Sequence, residues 1–165
     1  MAQEISRAEG VAEPAGLRGK TVLVTGAARR VGAVIARTMH AAGANLVLHY
    51  RSSADDATAL AKELNAHRPA SAVLAECDLL ETAQLPVLVE SAMKEFGSLD
   101  VLVNNASTFY PTPLGDITEM DWDDLIGTNL KAPLFLAQAA ASRLHEAQGL
   151  IVNLADIHGV KPLRR

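Results

Sequence analysis

T-V-L-V-T-G-A-A-R-R-V-G, residues 21–32, is an apolar, β-branched run that empties into a glycine turn and then into a helix. The first four residues read as a buried parallel strand, because a strand covered on both faces is continuously apolar rather than alternating. Thr25 and Gly26 end it, and glycine lets the backbone turn sharply without a Cβ clash. The helix behind the turn starts close by. Its free first-turn N–H groups and the positive end of its dipole face whatever lies over the turn, which makes a seat for an anion such as a pyrophosphate. A strand-to-helix glycine turn on its own is also an ordinary connection, so its meaning depends on the rest of the chain.

With 165 residues, 49% hydrophobic and 21% charged, the chain is expected to form one domain with a sizeable core. A formal net charge of −4 leaves no cationic footprint for nucleic acid or an anionic membrane, so the expected partner is a small molecule. Cys77 is the only cysteine; it excludes an internal disulfide framework and reads as a small hydrophobe at a strand end in a reducing compartment. No metal site is expected. Residues 1–18 mix Glu4, Arg7, Glu9 and Glu13 with alanines and lack the apolar stretch of a signal peptide. They read as a flexible extension before a nucleotide-binding domain over residues 19–165. No apolar run is long enough to span a bilayer, and a cytoplasmic location is the expectation.

From Thr21 onward, short β-branched runs alternate with helical segments. A helix over residues 30–42 is expected to turn Val31, Val34, Ile35, Thr38 and Met39 inward and to stop at Gly43. A second strand covers 46–50, and Ser53 reads as the N-cap of a helix to about residue 66, with Asp55 and Asp56 in its first turn. A third strand at 72–76 leads to a helix over 85–96, where Pro86 is tolerated in the first turn, Glu90 faces Lys94, and Gly97 closes the end. A fourth strand at 101–103, a Pro-containing loop, one long helix over 119–146 and a fifth strand at 150–154 complete the pattern. Strand, helix, strand in this rhythm predicts an α/β fold, a doubly wound parallel sheet of Rossmann type with strand order 3-2-1-4-5.

In such a sheet, ligands collect at the carboxyl ends of the strands. The polar and special residues fall there: 25–32 after the first strand, 49–53 after the second, Asp78 after the third, 104–109 after the fourth, Asp156 after the fifth. The second strand ends in His49, Tyr50, Arg51, Ser52 and Ser53, without the acid that would bind a free ribose 2′-hydroxyl. Arg29 points to the same corner. Two arginines with hydroxyls suit a 2′-phosphate, and NADPH is the expected cofactor.

T-G-A-A-R-R-V-G, C-D-L at residues 77–79 and N-N-A-S at residues 104–107 resemble the short-chain dehydrogenase/reductase family across nearly the whole chain. Within it, the chain is similar to the pteridine reductases. Three departures from the common pattern carry that closer resemblance: Arg30 for the middle glycine, Ser107 for the glycine after N-N-A, and Asp156 for the catalytic serine. N-N-A-S-T-F-Y-P-T-P-L, residues 104–114, and H-Y-R-S-S, residues 49–53, agree with it. The resemblance implies that Gly26, Arg29, Arg30, Val31 and Gly32 hold the cofactor phosphates. Tyr50, Arg51, Ser52 and Ser53 would surround the 2′-phosphate, Asp78 and Leu79 the adenine, and Asn105, Ala106 and Ser107 the ribose and nicotinamide. Asn129 matches the helix asparagine of the family's proton relay, and Asp156 would donate a proton. Arg30, Ser107 and Phe109 would bind substrate, with the flat pterin stacked on the aromatic ring. A homotetramer is the assembly it implies.

One departure is large. The family's Y-x-x-x-K pair is absent from the 165 residues, since Ala54 and Leu114 stand four places after Tyr50 and Tyr110. The last strands of the family fold are expected to be missing too, whether by fragmentation or natural truncation. Three functions therefore stand: reduction of a pterin or dihydrofolate, general carbonyl or oxoacyl reduction, or nucleotide binding without catalysis.

Overall fold

Continuously apolar runs make the middle of the sheet. In the computed structural model, which describes residues 16–156 and residue 161, the strands are β1 (Thr21–Val24), β2 (Asn45–Tyr50), β3 (Ala72–Glu76), β4 (Val101–Asn104) and β5 (Leu150–Asn153). Among the described residues they form one five-stranded sheet in the order β3-β2-β1-β4-β5, with every pairing parallel. Val22 faces Leu46 on one side and Val101 on the other. The expected order and fold class hold. The expectation for residues 1–15 lies outside the described residues, while Leu17 donates to the Ala42 carbonyl at 2.7 Å and packs on the core.

Alternate residues of the central strands feed two cores. Leu23, Val47 and Leu102 pack with Leu85, Leu88, Leu136 and Leu144 from α3 (Leu85–Phe96) and α5 (Ala132–Glu146). On the opposite face, Val22, Val24, Leu46 and Leu48 pack with Ala33, Ala36, Leu60 and Leu64 from α1 (Arg30–Ala41) and α2 (Ala54–His67). Each fully buried leucine contributes about 1.5–3 kcal/mol by leaving water.

The inner face of α1 differs from the expected one. Gly32, Ala33, Ala36 and His40 are buried, with Ile35 and Met39 partly so, whereas Val31 and Val34 are 58% and 60% exposed. Small residues let the helix axis come close to the sheet, and that approach outweighs the area the valines would bury. Ser53 occupies the N-cap position of α2, but its side chain makes no capping bond. Lys94 lies 3.8 Å from Glu95 instead of pairing with Glu90.

The expected long helix is three pieces: α4 (Glu119–Ile126), a π-helical turn (Gly127–Lys131) and α5. Pro133 explains the break, because it has no N–H to direct at the Asn129 carbonyl one turn earlier. The head of α4 is fixed by a capping box. Thr118 Oγ1 accepts from the Asp121 N–H at 3.2 Å, and Asp121 Oδ2 accepts from the Thr118 N–H at 2.9 Å.

At the end of the sheet opposite the polar strand termini, Asp100 joins β1 to β4. It is 5% exposed, and its carboxylate accepts from Lys20 Nζ at 2.7 Å, the Thr21 N–H at 2.9 Å and Ser98 Oγ at 2.9 Å. Burial alone would raise its pKa. The ammonium, the amide and the hydroxyl together outweigh burial and hold it below the ordinary carboxylate value. A carboxyl whose pKa is lower folded than unfolded stabilises the fold above its unfolded value, and that contribution fades as pH falls below about 4. Asp100→Ala is expected to cost about 1–3 kcal/mol at pH 7 by stripping acceptors from buried donors. Urea unfolding should show that cost shrinking at pH 3.

Candidate functional site

The carboxyl ends of the strands and the head of α1 enclose a cleft of about 1160 Å³. Gly26, Arg29, Arg30, Val31 and Gly32 form one wall; His49, Arg51, Asp78 and Leu79 form the adjoining side. Asn105, Ala106, Ser107, Phe109 and Asn129 form the far wall, and Asp156 stands at its end. The cleft thus brings together most of the residues expected at the site. Tyr50, Ser52 and Ser53 do not line it, and the Tyr50 hydroxyl instead donates to Glu76 Oε2 at 3.1 Å.

The turn is built by close approach. Gly26 has φ +62°, and a Cβ on Gly32 would stand 2.1 Å from the Gly26 carbonyl oxygen and 2.7 Å from Asn105 Nδ2. Beneath it, Asn105 Nδ2 donates to the Thr25 and Gly26 carbonyls at 2.8 and 3.2 Å, while Thr25 Oγ1 accepts from the Asn105 and Ala106 N–H groups, both at 3.0 Å. The Asn105 amide is therefore part of the turn's support. The Gly26 N–H is also engaged, donating to His49 Nδ1 at 3.0 Å, so Gly26 contributes shape rather than a free donor.

The donors that remain belong to α1. Its N-cap, Arg29, makes no side-chain capping bond, and the next residue, Arg30, takes the left-handed backbone at φ +50°. A non-glycine residue there costs about 1–2 kcal/mol, which fits a position where most of the resembled family has glycine. The price of that strain is a guanidinium at the mouth of the cleft beside uncapped helix amides.

Both arginines expected at a 2′-phosphate carry carboxylate partners. Arg29 Nε lies 2.5 Å from Asp56 Oδ2, and Arg51 Nη1 lies 3.9 Å from Asp78 Oδ1, which also accepts the Leu80 N–H at 3.0 Å. These pairs are exposed and worth at most about 1 kcal/mol each, so a more highly charged phosphate can displace a carboxylate.

On the far wall, Asn129 sits in the π turn and uses both ends of its amide on Thr108. Its Nδ2 donates to the Thr108 carbonyl at 2.7 Å and its Oδ1 accepts the Thr108 N–H at 3.1 Å. Next to this anchored residue, Phe109 is 77% exposed, so its ring is surface presented to the cleft rather than core. Three further residues contribute in roles the sequence did not give them: His49 under the turn, Asp56 on Arg29, and Asn104, whose Nδ2 donates to Asn153 Oδ1 at 2.8 Å. The sequence signals for His49 were its place at the end of an apolar strand and at the head of H-Y-R-S-S, neither of which points to the turn.

Gly32→Ala is expected to force the head of α1 away from β1, at a cost of about 1–3 kcal/mol as for other overpacked sites. A lowered urea midpoint with an unchanged m-value would register it.

A family model described as short chain dehydrogenase matches residues 20–165. Pteridine reductase 1 of Leishmania tarentolae is 40% identical over 179 aligned residues, covering 86% of this chain and 62% of that protein. A 3-oxoacyl-acyl-carrier-protein reductase of Staphylococcus aureus is 34% identical over 141 residues, covering 85% of this chain and 57% of its own length. The chain thus spans about three-fifths of these relatives. Among solved structures, a blue fluorescent protein from a metagenomic library, in complex with NADPH, superposes with a TM-score of 0.85 at 36% identity, over 90% of this chain and 60% of that one. The chain belongs to the short chain dehydrogenase family.

Proposed function

We propose that this domain binds NADPH for the reduction of a pterin or dihydrofolate. The observation that carries the substrate class is Phe109, an exposed aromatic on a loop anchored by Asn129, at the end of the cleft that also holds Ser107 and Asp156. Similarity to pteridine reductase 1 supports it. The cofactor fits the residues present, because the close glycine approach brings the uncapped amides of α1 to the cleft, where a pyrophosphate would sit. Arg29 and Arg51 would bind its 2′-phosphate, with Tyr50, Ser52 and Ser53 as the chain neighbours of Arg51. Asp78 would accept from the adenine amine beside Leu79.

When bound, the dihydronicotinamide supplies a hydride. This chain's own residues hold and orient: Asn105, Ala106 and Ser107 shape the ribose side, Asn129 fixes the loop, and Arg30 offers donors to a ring carbonyl. Phe109 would cover one face of a flat substrate, and Asp156, which lines the cleft with it, would supply a proton to a ring nitrogen. The Y-x-x-x-K pair of the family is not in these residues, so the 165-residue chain alone is proposed to bind without turning over. A cytoplasmic homotetramer belongs to the same proposal. Oxoacyl reduction is the second candidate, favoured by the 34% identical acyl-carrier-protein reductase.

Arg51→Ala is expected to weaken NADPH by about 10- to 150-fold, the equivalent of one charged hydrogen bond, and to leave NADH nearly unchanged. Equal losses in calorimetric titrations would remove the 2′-phosphate assignment.

The substrate class is tested on the chain saturated with NADP⁺. Dihydrobiopterin or dihydrofolate should bind, and Phe109→Ala should weaken that binding about 2- to 10-fold through lost stacking without affecting NADP⁺. Binding of an acetoacetyl thioester in preference to either pterin would favour the oxoacyl alternative.

A further inference from the structure

Besides Asn105, the nucleotide turn rests on His49. It is 2% exposed, at the end of β2, and two successive amides of the turn end on it: Gly26 N–H on its Nδ1 at 3.0 Å and Ala27 N–H on its backbone carbonyl at 2.9 Å. On the other side of the ring, Nε2 lies 3.0 Å from the Cys77 carbonyl, just past β3. One imidazole thereby joins the ends of three neighbouring strands under the cleft.

The two contacts fix the tautomer. An amide N–H can only donate, so Nδ1 must present a lone pair, and a carbonyl can only accept, so Nε2 must carry the hydrogen. Neither partner is a side chain that could rotate and exchange roles. A second proton on Nδ1 would set N–H against N–H.

We propose that His49 is the positioning residue of the nucleotide seat, a neutral imidazole that holds the Gly26 amide and lets the turn go on taking up a proton. The charged and titratable groups around it are Arg51 just after β2, and Cys77 and Asp78 after β3; the turn meets the ring with the Gly26 amide. Burial disfavours the imidazolium most, and Arg51 adds to that, against the Cys77 carbonyl and the Asp78 carboxylate, which favour it. The Cys77 thiol, pushed up by burial, stays neutral. A histidine whose pKa is lower folded than unfolded stabilises the turn above about 6.5, and that contribution is lost as pH falls below it. Because the turn sets where α1 begins, an anion seated on α1 loses its hold with it. The ligand consequence rests on the NADPH proposal; the turn itself does not.

Nuclear magnetic resonance of the ¹⁵N-labelled 165-residue chain between pH 4.5 and 8 tests the turn, and NADP⁺ titration of wild type and His49→Gln tests the seat. The expected result is an Nε2–H tautomer at pH 7.5, a titration midpoint below 6.5, and a Gly26 amide resonance that moves with that midpoint. NADP⁺ affinity of the wild type should fall by up to about tenfold per pH unit below the midpoint relative to His49→Gln, whose amide cannot titrate. The 2′-phosphate also titrates near pH 6, and that effect cancels between the two proteins. An Nδ1–H tautomer, a Gly26 resonance indifferent to His49, or identical pH profiles for the two proteins would overturn the proposal. If NADP⁺ fails to bind at any pH, the cofactor proposal falls and the tautomer and Gly26 resonance still decide the role of His49. If His49→Gln does not fold, the wild-type spectra decide it alone.

Discussion

The cleft depends on how closely the head of α1 stands to the end of β1. With the Gly26 carbonyl where a Gly32 methyl would have to be, helix and strand touch backbone to backbone. That contact brings the helix amides to the carboxyl edge of the sheet, where a dipole of partial positive charge has most effect on an anion. It also fixes the rest of α1, whose alanines rather than its valines lie against the sheet. Asn105 and Thr25 complete the support with hydrogen bonds that leave no buried side-chain donor or acceptor unpaired among the described residues.

Electrostatics around this contact are balanced rather than simply positive. Arg29 and Arg51 each have a carboxylate beside them, from the first turn of α2 and the end of β3. Such pairs hold flexible side chains near the cleft at small energetic cost. They also make an anion's affinity a competition, so a ligand must bring more charge than a single carboxylate to displace one.

Much of this was legible in the sequence. Val22 to Val24 and Leu46 to Leu48 announced themselves as doubly covered strands because no polar residue interrupts them, and the glycine turn then oriented the whole sheet. The residues at five strand ends fell into one cleft because parallel topology sends every carboxyl end to the same edge. The face of α1 was less legible, because hydrophobicity pointed to Val31 and Val34 while packing distance selected Gly32, Ala33 and Ala36. His49 was hidden for another reason: its partners lie 23 and 28 residues away on neighbouring strands, and nothing local marks such a bridge. The break after Ile126 did carry a mark, Pro133, whose missing N–H is a local fact with an effect four residues earlier.

That break makes residues 127–131 sensitive to length as well as to the identity of Asn129. A π turn holds one residue more than regular α-helix would, and each residue turns a helix by about 100°. The core-facing row of α5, Ala132, Leu136, Ala140 and Leu144, is in phase with the sheet only because that extra residue is there, whereas α4 buries none of its residues. Gly127, packed against Leu80, and Asn129, bonded to Thr108, are held to their identities, and the other side chains there can vary so long as the count is kept. A single-residue deletion would rotate that apolar row off the core and swing Asn129 away from Thr108. Among related sequences, this stretch outside Gly127 and Asn129 should therefore tolerate substitution far better than insertion or deletion.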